Sequence, residues 1–224
     1  MLTRKKFEET LQTPLSYWAE KNQESVKDLI GSDVSDMLGF DQKNPHHCYD
    51  LWFHTLHVVD YLVQRGAPLL LLVAAFFHDI GKLHTAKEKQ GRLVFYGHAQ
   101  KSVEISIPIL ENLGYTDKEI EEISFYIGHH DDFISYVLPT EKYNKKNPYL
   151  IPINKENIYK RFNKVEGDSP DLFKRITPDT LWNNLIFLSE GDASSQAEEV
   201  IQNDKKVDSK AHKLKKIAAI KNYI

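Results

Sequence analysis

The sequence predicts an all-helical bundle, interrupted before its last core helices by a long irregular insertion. Apolar residues recur at three- and four-residue steps through most of the chain, whereas alternating β-branched runs are absent and no Asn-Gly or Asp-Gly pair marks a hairpin. The composition is that of a globular domain: 224 residues, 41% apolar and 27% charged, enough for one sizeable core.

The expected helices run in order over 4–12, 22–38 with a break, 50–65, 68–80, 98–113, 116–128, 130–137, 154–164, 178–202 and 208–222. Gly66-Ala67-Pro68 closes the third and opens the fourth, Gly81 follows the fourth, and Gly114 precedes the capping box Thr116-x-x-Glu119. The stretch 139–178 holds five prolines (Pro139, Pro148, Pro152, Pro170, Pro178) among lysines and tyrosines, and reads as a lid or insertion. From Asp204 the chain is lysine-rich, with Leu214, Ile217, Ile220 and Ile224 on one helix face, as in an amphipathic helix docked on the body. The expected organisation is a single domain over 1–224, with its core at about 40–203 and a C-terminal helix at 204–224.

A net charge of −3 gives no overall attraction to nucleic acid or anionic membrane, so such contacts would need a local basic patch. The single cysteine, Cys48, excludes an internal disulfide, and the first residues, MLTRKKFEET, lack the apolar stretch of a secretory leader. A cytoplasmic protein is expected. The most apolar run, Ala67 to Phe77, is too short to span a bilayer and ends in His78-Asp79.

That ending is the first chemical signal. A carboxylate beside an imidazole at the end of a buried apolar helix costs several kcal/mol unless the groups are paired or hold a metal. The ionisable residues in such contexts are Asp50, His54, His78, Asp79, Lys82, His98, His129, His130 and Asp192. Asp50 and His54, four apart, are expected to share a helix face, with His57 as the local rival. Imidazoles with carboxylates and no thiolate suit one or two divalent transition ions (Fe, Mn, Co, Ni or Zn) better than calcium. His129 and His130 point about 100° apart on a helix, so both serve only if the helix ends there or they face different ions. His57, His84 and His212 are given no role.

The pattern His54-Thr-Leu-x-Val, then His78-Asp79-Ile-Gly-Lys82, then Asp192 resembles the HD-domain phosphohydrolase superfamily over roughly residues 40–200. The stretch from Gln42 to Leu56, with Tyr96-Gly-His98 and Gly191-Asp192-Ala193, is further similar to the HD region of bacterial CCA-adding tRNA nucleotidyltransferases. No strand with paired catalytic aspartates precedes it, so nucleotide addition is not expected. The histidine order is also similar to that of cyclic-dinucleotide phosphodiesterases, without their Gly-Tyr-Pro signature.

The resemblance implies a first metal on His54, His78, Asp79 and Asp192, and a second on His98 with one or both of His129 and His130. Asp50 would be an additional carboxylate. Hydrolysis of a phosphoester of a nucleotide, cyclic nucleotide or RNA end by metal-activated water is the activity it implies, with Asp79 and Lys82 as catalytic residues. The rivals are a di-iron oxygenase on the same scaffold and a non-catalytic nucleotide- or RNA-binding module. Lys142, Lys145, Lys146, Lys160, Arg161, Lys174 and Arg175 read as solvated surface; the alternative is a grip on nucleotide or RNA phosphate, with Tyr143, Tyr149 and Tyr159 stacking on bases.

Overall fold

The computed structural model describes residues 3–13, 32–141, 149–202 and 205–224. Parts of the expected 22–38 helix and of the 139–178 insertion, including Lys142, Tyr143, Lys145 and Lys146, lie outside them.

Helix α1 (Arg4–Leu11) starts where Thr3 Oγ1 accepts the Lys6 N–H, and it buries Phe7 and Leu11. A single turn, α2 (Ser32–Ser35), leads to α3 (Leu51–Val63). Helix α4 (Leu69–Phe77) is apolar in every residue, so it takes the middle of the bundle. Leu71, Val73 and Phe77 are fully buried and Phe76 nearly so, contributing about 1.5–3 kcal/mol each. The Phe7 ring meets Phe76 edge-on, 5.4 Å between centroids. Residues 78–81 then turn, and the short α5 (Lys82–Thr85) follows.

Helices α6 (His98–Leu113) and α7 (Asp117–His129) pack on each other and on α4. Gly97 and Gly114 bracket α6 in left-handed conformations that disfavour any residue with a Cβ. The capping box at Thr116 and Glu119 is present as the sequence predicts.

Glu119 does more than cap. Arg4 reaches across from α1 and bonds both its carboxylate oxygens, at 2.6 and 3.0 Å. This hydrogen-bonded Arg4 lowers the Glu119 carboxyl from 4.5 to about 2. Because the folded pKa is depressed, the stabilisation is complete above pH ~4.5 and is lost as pH falls through ~2. Discounted for partly exposed side chains, it amounts to about 1–2 kcal/mol. Arg4→Met is therefore expected to lower Tm at pH 7 by roughly 2–6 °C, with the gap to wild type closing as pH drops from about 4.5 to 2. A gap that stays constant over that range would count against the pair.

Three elements depart from expectation. The helix expected over 130–137 is a run of turns ending in the two-residue strand β3 (Tyr136–Val137). The turns bury Phe133 and Tyr136, which share an edge-on ring contact. The helix expected over 178–202 stops early: α10 (Pro178–Ser194) ends where Ser195 Oγ turns back to the Gly191 carbonyl. A hairpin, β5 (Glu199–Gln202) with β6 (Lys205–Asp208), then carries the chain into α11 (Ser209–Lys221). A second hairpin, β1 (Lys87–Lys89) with β2 (Arg92–Val94), turns on Gln90 and Gly91, both at positive φ.

The insertion is more regular than its prolines suggest. Strand β4 (Ile151–Pro152) pairs in parallel with β3, and the helix expected over 154–164 extends as α8 (Lys155–Asp168). Pro170 occupies the first turn of a further helix, α9 (Pro170–Arg175). Trp182 of α10 stacks on Phe162 of α8 at 4.1 Å, which fastens this segment to the core. No helix among the described residues is long and apolar enough to cross a membrane.

Candidate metal centre

Five elements deliver side chains to one buried point. His54 projects from the first turn of α3, and His78 and Asp79 follow the end of α4. His98 is the first residue of α6, His130 caps the end of α7, and Asp192 lies in the last turn of α10. One ligand atom from each of His54, His78, Asp79 and Asp192 falls within 4.8 Å of the others, and Asp79, His98 and His130 form a second group by the same measure.

Asp79 is common to both and turns one oxygen to each. Its Oδ2 lies 3.4 Å from His54 Nε2 and 3.2 Å from His78 Nε2; its Oδ1 lies 3.2 Å from His98 Nε2 and 3.6 Å from His130 Nε2. Asp192 Oδ1 is 3.1 Å from His54 Nε2.

The imidazoles are aimed by the backbone. His54 Nδ1 bonds the Ser195 carbonyl at 3.2 Å, His78 that of Ala75 at 2.7 Å, His98 that of Phe95 at 2.9 Å, and His130 that of Ile127 at 2.7 Å. A carbonyl only accepts, so each Nδ1 carries the hydrogen and each neutral ring presents the Nε2 lone pair to the cluster. Such an array could hold a cation. His98 Nε2 and His130 Nε2 face each other at 3.1 Å, and His54 Nε2, His78 Nε2 and Asp79 Oδ1 are buried without a hydrogen-bond partner.

The electrostatics say the same. Burial alone would raise the Asp79 carboxyl, but His78, Lys82, His130 and His54 hold it well below the usual carboxylate range. Asp192 is likewise held low against burial, chiefly by His54. Burial keeps His78 low and hence neutral. For His130 the burial penalty is outweighed by Asp79 and Asp131, which take it to about 9; His54 is raised by Asp192 and Asp79 in the same way. Two buried carboxylates that are both held low favour a cation among these rings. Imidazole and carboxylate donors together fit the transition-ion class expected from the sequence.

Lys82 lies beside this array, its Nζ 2.6 Å from Asp79 Oδ2 and 3.0 Å from Gln42 Oε1. Two sequence candidates lie apart from it. His129 bonds Asp132 at 2.9 Å and packs on Phe125, because α7 ends at this residue and the next one turns inward. Asp50 is the N-cap of α3, its oxygens accepting the Phe53 and Gly39 N–H groups at 2.7 and 2.8 Å. Four-residue spacing puts two side chains on one face only when both belong to the helix, and Asp50 stands just outside it. Arg161 is not free surface: it forks onto Asp132.

Gln42 and His47 were not singled out in sequence. Gln42 is 1% exposed and its role depends on Lys82, forty residues on. His47 meets His54 edge-on at 5.1 Å, and burial takes it down to about 2, so it stays neutral. The His46-His47 pair before His54 was the available signal.

A family model of the HD domain matches residues 46–159, just over half of the chain. The chain belongs to the HD-domain family. Among curated relatives, the CC-adding tRNA nucleotidyltransferase of Thermus thermophilus is 34% identical over 104 residues, covering 45% of this chain and 24% of that protein. The multifunctional CCA protein of Burkholderia orbicola is 35% identical over 85 residues, 38% of this chain and 20% of its own length. The similarity thus spans a quarter or less of these relatives. The HD match contains His54, His78, Asp79, Lys82, His98 and His130, while Asp192 reaches the cluster from beyond it.

Proposed function

We propose that this HD domain is a metal-dependent phosphohydrolase or phosphodiesterase acting on a phosphoester of a nucleotide, cyclic nucleotide or RNA end. The observation that carries the reading is the convergence of four backbone-aimed Nε2 atoms on the two oxygens of Asp79. His54, His78, Asp79 and Asp192 would hold one ion, and Asp79, His98 and His130 a second, with His129 and Asp50 outside the ligand set. When bound, the metal supplies Lewis acidity and a water made acidic enough to attack at neutral pH.

The chain's own residues do the rest. Asp79 sets the spacing of the two groups by offering one oxygen to each. Lys82, steadied by Gln42, places a compact positive charge where the phosphoryl oxygens gain charge during in-line displacement. That cation suits an anionic substrate such as a phosphoester. The tRNA named by the relatives supports a nucleotide or RNA end.

The test is to purify the protein without chelator, quantify bound metals by mass spectrometry, and assay p-nitrophenyl phosphate, bis-p-nitrophenyl phosphate and a nucleotide panel with Mn, Ni, Co or Fe. Bound transition metal with phosphoester turnover is the expected result. Metal with oxygen consumption and no phosphoester turnover would overturn the proposal in favour of the oxygenase, and binding of nucleotide with neither metal nor turnover would leave a binding module.

A further inference from the structure

The end of α10 and the helix α11 lie outside the family-matched segment, yet they meet the cluster through a short side-chain relay. Gln196, 5% exposed, donates Nε2 to both Asp192 oxygens at 3.3 and 3.4 Å, and Lys213 of α11 donates Nζ to Gln196 Oε1. An ammonium only donates and a carboxylate only accepts, so just one of the two amide orientations satisfies both neighbours. The backbone holds the relay in place. The Ala197 N–H donates to the His46 carbonyl at 2.9 Å, His46 Nδ1 lies 2.7 Å from Ser209 Oγ, and the Ser209 N–H donates to Glu198 O at 2.8 Å. These contacts fold α11 back onto α10, with Ile217 and Ile220 buried.

Taking the cluster as a metal centre, we propose that Gln196 and Lys213 are positioning residues that hold the Asp192 carboxylate for the metal. Asp192 needs such support: its side chain is 26% exposed, against 2% or less for His54, His78 and Asp79, and it comes from the last turn of its helix. Donation to both oxygens fixes rotation about the carboxylate bond, and the long bonds leave lone pairs for a cation. The intervening amide keeps the Lys213 charge from neutralising Asp192 directly while polarising the Gln196 N–H groups toward it. Docking of α11 rests on the contacts among His46, Ala197, Glu198 and Ser209 and on its buried Ile217 and Ile220, none of which involves Gln196 or Lys213, so the relay can be cut with the helix still in place.

The experiment is calorimetric titration of the chelator-treated full chain with Mn²⁺ alone, alongside thermal unfolding of the metal-free protein. Lys213→Met and Gln196→Leu are each expected to weaken binding roughly 10-fold or more, the range for partners of metal ligands. The double variant should be no worse than the weaker single, because both act through one relay, and Lys213→Arg should recover part of the loss. Metal-free Tm should change little. Wild-type affinity in both single variants would overturn the proposal. Unchanged affinity with a raised KM for bis-p-nitrophenyl phosphate in Lys213→Met would overturn it in favour of direct substrate contact. A wild type that binds no Mn²⁺ or other transition metal would sink the metal centre itself, and this proposal with it.

Discussion

Asp79→Asn is expected to abolish phosphoester turnover, lowering it by about 10³-fold or more, and to strip both ions from the protein while the fold survives. The magnitude follows from sharing. Asp79 offers Oδ2 to the group of His54 and His78 and Oδ1 to the group of His98 and His130, so one substitution removes the anionic ligand that both groups share. Losing an ion that activates water and offsets developing charge costs several kcal/mol of transition-state stabilisation, each 1.4 kcal/mol being about tenfold in rate. Asparagine keeps the size of the side chain and the packing of α4, so the far larger loss should be in metal content and turnover. His129→Ala is the matching control: its ring bonds Asp132 and packs on Phe125, so it should lose some stability and keep its metal. Retained metal in Asp79→Asn, or lost metal in His129→Ala, would contradict this ligand assignment.

The contrast between His129 and His130 also shows where sequence reasoning reaches its limit. Local signals gave the frame: Thr116 and Glu119 cap α7 by contacts three residues apart, and the unbroken apolar run of α4 places it at the centre wherever it sits in the chain. His78 and Asp79 stood out because charge at the end of such a helix is costly. Which of two adjacent histidines turns inward, however, depends on where α7 stops, and the chain there is shaped by distant partners. Ser189 of α10 donates to the His130 carbonyl, and Arg161 of α8 takes Asp132. Asp50 was misplaced for a different reason, since an N-cap and a first-turn residue look alike in spacing. The β1–β2 hairpin was missed because Gln90 stands where Asn or Asp ordinarily marks the turn. The relay from Lys213 had no local trace at all.

Gly81→Ala is expected to be the most destabilising conservative change in the His-Asp segment, and the reason connects fold to site. A Cβ at Gly81 would lie 2.3 Å from the His98 carbonyl oxygen and 2.5 Å from the Ser102 nitrogen. Both are backbone atoms of the first turns of α6, so no side-chain rotation relieves the clash and the helix itself must move. Overpacking of this kind costs on the order of 3 kcal/mol, or roughly 6–12 °C in Tm for a chain of this size. Ser102→Ala provides the scale: it removes the hydroxyl that accepts the Gly81 N–H at 2.9 Å, worth about 1 kcal/mol, and leaves the close approach intact. Thermal unfolding should therefore rank Gly81→Ala well below Ser102→Ala. Metal analysis should separate them further, because displacing α6 carries His98 away from Asp79 Oδ1, whereas Ser102→Ala leaves it in place. Equal Tm values for the two variants would mean that α6 yields easily here. If the ranking holds, the glycine two residues after Asp79 is what lets α6 come close enough for one carboxylate to serve both groups.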